Sequence, residues 1–129
     1  MIFRNVIYFI FSPFCRRDYD RFGIDIVKKS GFKVDVWDLT PIFDEEVYKI
    51  TKVPDPIDYK SSNCKLFLNK ADFHREVRKI SRGSLVITMF GIDYKTYFLY
   101  KELSKSGVSY ALFLANAIPL CRDTINNYS

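Results

Sequence analysis

One histidine, three cysteines and five glycines in 129 residues leave little material for the commonest kinds of site. Cys15, Cys64 and Cys121 are odd in number and far apart, which excludes a paired disulfide framework and a CxxC metal ribbon, and no metal site is expected. Such cysteine usage suits a reducing cytoplasm. The shortage of glycine matters most in the N-terminal loop. Where a GxGxxG turn would let the backbone approach a pyrophosphate, this chain reads SPFCRRDY, bulky throughout, so no nicotinamide or flavin cofactor is expected. The Walker loop, the GxSxG elbow and the HExxH helix are missing as well. Ser12 and Thr88 stand where a phosphate-accepting receiver domain needs acidic residues. The apolar run 6–11 is too short to span a membrane, and with Arg4 before it and Pro13 after it, it lacks a signal-peptide cleavage site.

What the chain does have is hydrophobic content of 48%, with twelve Phe and nine Tyr, enough for one domain to build a core. Six consecutive apolar residues, 6–11, fit a strand covered on both faces. Ser12 and Pro13 stop it. Asp18 then caps a predicted helix whose inward stripe is Tyr19, Phe22, Gly23, Ile26 and Val27, closed by Gly31. Residues 33–39 read as a second strand, less buried than the first, with Val34 and Val36 alternating against Asp35 and Trp37. From 42 to 69 the periodicity fails. VPDPID at 53–58 reads as extended loop, and 64–68 as a short edge strand at most. Asn69 caps a helix over 70–81 with Phe73, Val77 and Ile80 inward. A second central strand follows at 85–90, then a helix capped by Asp93 with Thr96, Leu99, Tyr100 and Leu103 inward, then a last strand at 108–115.

This order predicts a single Rossmann-like three-layer α/β/α domain over 1–119, with a mainly parallel sheet of about four strands in the order 2-1-3-4 and a polar tail at 120–129. The topological switch point falls between the first strand and the strand at 85–90, where α/β folds bind ligands. Its rim, and hence the predicted ligand-binding set, is Ser12, Arg16 and Arg17 on one side and Gly91 and Asp93 on the other, with Asp38 at the end of the second strand. Two arginines ahead of a helix start work against its dipole unless an anion sits there, and phosphate fits that role. Asp18 and Asp20 offer the plainer alternative of neutralising them. Asp38 is the candidate acid or base, since Asp93 is used as a cap. Cys15 has no matching base. His74 is expected on a polar helix face with no carboxylate or cysteine opposite it.

The net charge of +5 has a local origin. Residues 60–82 hold an excess of five positive charges, equal to the whole net charge, and Lys70, Arg75, Arg78, Lys79 and Arg82 form the expected basic surface. A solvated helix face accounts for such a run; an anionic surface partner is the sharper reading.

At SPFCRRDYDRFGIDIVKKSGFKVDVWDLTPIF and GSLVITMFG, the chain resembles the N-terminal region of bacterial surface and capsular polysaccharide biosynthesis proteins related to the GT-B glycosyltransferases, over about residues 4–115. The resemblance implies an acceptor-side Rossmann-like domain, with the Ser12 to Arg17 loop, Asp38 and Gly91 facing a cleft. It implies a second Rossmann-like domain or a partner chain to bind the nucleotide sugar, and no independent activity without it. A phosphorylated sugar or lipid-linked acceptor is the implied ligand, and a peripheral place at the inner membrane the implied setting; nucleic acid is not expected. The alternative is a non-catalytic α/β module that holds a phosphorylated ligand or a protein partner. Residues alone do not choose between these.

Overall fold

A computed structural model describes residues 3–11, 14, 16–44, 46, 49, 64–88 and 94–112, with Arg17 described in its backbone only. Five parallel strands form one sheet: β1 (Asn5–Ile10), β2 (Lys33–Asp38), β3 (Cys64–Leu66), β4 (Ser84–Thr88) and β5 (Ser109–Leu112). Their order is β3-β2-β1-β4-β5. Phe9 sits beside Trp37 on one side and Thr88 on the other, so β1 is the centre of the sheet and the reversal of strand order falls between β1 and β4.

The expected order of four strands is therefore corrected by one addition. Residues 64–66 pair in parallel with β2 from Val36 to Asp38 and extend the sheet. This explains a second departure. Trp37 is buried rather than half-exposed, because Phe67, just beyond β3, stacks on it at 4.7 Å while Phe9 packs parallel at 5.1 Å. An alternating sequence marks a half-buried strand only while one face meets water, and here both faces of β2 are covered.

Two layers of helices complete the fold, α1 (Arg16–Arg21) and α2 (Ile24–Lys29) on one face, α4 (Lys70–Val77) and α5 (Tyr97–Lys105) on the other, with a short α3 (Thr40–Phe43) after β2. The predicted helix after β1 is broken in two. Gly23 adopts φ 67°, a left-handed conformation that ends one helix and starts the next. The break rotates the apolar stripe: Ile24 becomes fully buried, and Ile26, expected inward, is 70% exposed. Gly31, with φ 99°, closes α2 as expected. Asn69 caps α4 as expected, its Oδ1 accepting from the Asp72 amide at 2.9 Å, and Phe73 and Val77 point inward. Thr96, Leu99, Tyr100 and Leu103 are buried as their spacing implies. Asp93, Ser12 and Gly91 lie outside the described residues, as do the loop at 53–58, the last residues of the strand predicted at 108–115 and the tail at 120–129. Among the described residues no helix is long and apolar enough to cross a membrane.

Candidate functional site

Because every strand pairing is parallel, Ile10, Asp38, Leu66, Thr88 and Leu112 all end at the same edge of the sheet, the edge where α/β folds place their ligands. Two groups of side chains stand there. The first surrounds Asp38, whose side chain is 1% exposed. Its Oδ1 accepts from the Thr40 amide at 2.9 Å and from the Thr40 hydroxyl, and the Phe14 amide donates to the same carboxylate. Burial, with a smaller push from the Asp18 charge, raises Asp38 above the usual carboxylate range, while the donors from Thr40 and Phe14 oppose that shift. Asp38 thus ties the chain after β1 to the start of α3. Asp18, expected to cap a helix, instead lies within the first turn of α1, 2% exposed and 3.4 Å from the Arg21 guanidinium. Arg16 is exposed. Burial near Asp38 also pushes the Cys64 thiol up to about 12, which leaves it protonated and unreactive at neutral pH.

The second group forms a cavity of about 410 Å³ lined by Ile42 and Phe43 from α3, Lys70 from α4, and Tyr94, Lys95, Tyr97 and Phe98 at the start of α5. Small-molecule sites run from about 300 to 1,000 Å³, so the space suits one sugar-sized ligand. Phe98 is its floor. The ring packs against Phe43 at 5.7 Å and meets Phe73 edge-on at 5.9 Å, while the Lys70 ammonium lies 4.4 Å from its centroid. Tyr94 and Tyr97 are 86% and 61% exposed, so both rings are open to a ligand. Lys95 Nζ sits 6.0 Å from the Tyr94 ring.

No family model, no curated protein and no solved structure matches this chain.

The basic surface of the sequence is largely paired internally. Arg75 meets Asp72 at 2.6 Å, Lys79 meets Glu76 at 3.5 Å, and Arg78 reaches across to Glu102 on α5 at 3.4 Å. Arg82 stands apart at the opposite edge of the sheet, beside a cavity of about 310 Å³ lined by Ser81, Ser106, Gly107 and Ser109. That cavity lies past the C-terminal ends of α4 and α5, where helix carbonyls disfavour an anion. His74 also departs from expectation. It has a carboxylate opposite it, with Nδ1 3.4 Å from Glu102 Oε2, so one buried acid joins two basic residues of the neighbouring helix. The signal was present in the sequence, since Glu102 falls on the stripe of Leu99, Tyr100 and Leu103, and a charge on a buried stripe requires a partner. Of the predicted ligand set, Asp38 sits at the ligand edge but is committed to holding Thr40 and Phe14. The cavity residues Phe43, Tyr94, Tyr97 and Phe98 carry no joint signal in the sequence, because Phe43 comes from α3 and the other three from the start of α5. Among the described residues no cluster suited to a metal ion is present.

Proposed function

We propose that the chain is the acceptor-side Rossmann-like domain of a glycosyltransferase-like protein of bacterial surface polysaccharide synthesis, and that it binds the acceptor glycan in the cavity between α3, α4 and α5. One observation carries this reading. The cavity opens at the strand C-termini of a parallel sheet, and its walls are ring faces and lysines rather than the glycine turn of a nucleotide site. The C–H face of a pyranose packs on such rings. The domain supplies binding and orientation; transfer requires a second domain to hold the nucleotide sugar. Asp38, with its carboxylate buried and bonded on two sides, has the role of fixing the rim, not of carrying a proton. The proposed working place is the cytoplasm, beside a membrane that carries the acceptor.

Saturation-transfer NMR with short surface-polysaccharide fragments and with UDP-glucose tests the proposal. Transfer to the oligosaccharides, lost in Tyr97→Ala, and none to the uridine protons of UDP-glucose is the expected result. Transfer to the uridine protons without any to the oligosaccharides, or transfer to neither ligand, would remove the acceptor-side reading and leave a protein-interaction module as the better account.

A further inference from the structure

Resting on the acceptor reading, we infer that the cavity between α3, α4 and α5 selects an anionic sugar, whose carboxylate or phosphate group sits on Lys70 while its ring packs on Tyr97 and Phe98. The argument comes from how the charges of α4 are shared out. Asp72 is taken by Arg75, and its second oxygen by the Asn69 amide at 3.2 Å. Glu76 faces Lys65 at 3.7 Å and Lys79 at 3.5 Å. Glu102 is divided between His74 and Arg78. Among the described residues these three carboxylates therefore all have partners other than Lys70, and Lys70 has no carboxylate partner. Its ammonium rests on the Phe98 ring, which draws it to the cavity wall and limits its freedom.

Lys70 is also the first residue of α4, where the helix dipole disfavours a positive charge. An anion beside it would offset the dipole and pair with the ammonium. Lys95 adds a second cation to the lining, and among the described residues no acidic side chain contributes to it. A neutral sugar would use the rings and leave the ammonium in water. An anionic one would use both, through a charge-assisted hydrogen bond.

The test measures dissociation constants by amide chemical-shift titration of the whole chain with glucose, glucuronate, glucose 1-phosphate and inorganic phosphate, for the parent and for Lys70→Gln. Lys70 is exposed, so the substitution leaves the core alone. Glucuronate or glucose 1-phosphate is expected to bind about tenfold more tightly than glucose, the size of one charge-assisted contact at an open site. Lys70→Gln should abolish that preference without weakening glucose. The better of the two charged sugars tells carboxylate from phosphate. Equal binding of glucose and both charged sugars would overturn the anion selection while leaving the acceptor groove standing. Inorganic phosphate binding as tightly as glucose 1-phosphate would show that the ring faces contribute nothing, which also overturns it. Binding of no sugar would end both readings.

Discussion

The two faces of the sheet are packed by different means. On the α1–α2 side, Val6, Tyr8, Ile10, Val34 and Val36 meet Phe14 and Ile24, and the covering helix is broken at Gly23, with the Tyr8 hydroxyl donating to the Phe22 carbonyl at 3.2 Å. On the α4–α5 side, Phe9, Trp37, Phe67, Phe73 and Phe98 form a continuous set of stacked, tilted and edge-on rings, and Glu102 of α5 meets both His74 and Arg78 at 3.4 Å. The candidate cavity belongs to the second face. A rigid aromatic floor fixes where a ligand's ring can lie, so selectivity is best built where packing is least compliant.

The sharpest way to break this comparison is to cut the same depth into each face. Phe73→Ala should cost about 4 kcal/mol in chemical denaturation, and Ile24→Ala about 3 kcal/mol, since both side chains are fully buried and the ring removes more contact. Equal or reversed costs would mean that the aromatic face is not the more tightly held one. Phe73→Ala should also weaken sugar binding through Phe98, which Ile24→Ala should leave unchanged.

Smaller effects separate the helices. Gly23→Ala should cost about 1 to 2 kcal/mol through backbone strain alone, because no atom lies within 4 Å of the added methyl group and the left-handed φ carries the penalty. Gly23→Asn should cost less, and a stabilising Gly23→Ala would show that α1 and α2 join into one helix. On the other face, Asn69→Ala should cost about 1 kcal/mol by removing the cap of α4. No change would mean that packing of Phe73 and Val77 holds that helix without its cap.

The smallest effect concerns pH. Burial raises Asp38 in the folded chain, so the unfolded chain gives up this proton at lower pH, and the carboxyl's contribution to stability falls as pH rises from about 3.8 through the folded value. Asp38→Asn does not ionise. Its stability deficit relative to the parent should be widest near pH 3 and should narrow toward pH 7, measured by urea midpoints. A deficit that widens with pH would mean that Asp38 is stabilised as a carboxylate.

The sequence disclosed the parts of the fold that follow from local rules. The apolar run of β1, the cap at Asn69 and the stripe from Thr96 to Leu103 each carry their own signal within a dozen residues. What it hid depends on contacts between distant segments. Trp37 is buried because Phe67 lies over it, and nothing near position 37 says so. The stripe ending at Ile26 has helical spacing, yet one glycine within it turns the following residues. Likewise the cavity was not legible, because Phe43, Lys70 and Tyr97 meet only once three crossovers are complete, and Lys70 read as one more member of a basic run.

The central position of β1 has a consequence for how the chain is made. Its neighbour β4 arrives late, since Asn5 and Ser84 are separated by 79 residues. At about 5 to 20 residues per second, translation takes roughly 4 to 16 seconds to supply that partner. Through this interval NVIYFI emerges with its β4-facing edge unpaired, the most apolar strand waiting for its second neighbour. Parallel pairing allows no hairpin to shield it sooner, so nascent chains stalled before residue 84 should be the form most prone to cross-strand association, and the form most dependent on a chaperone.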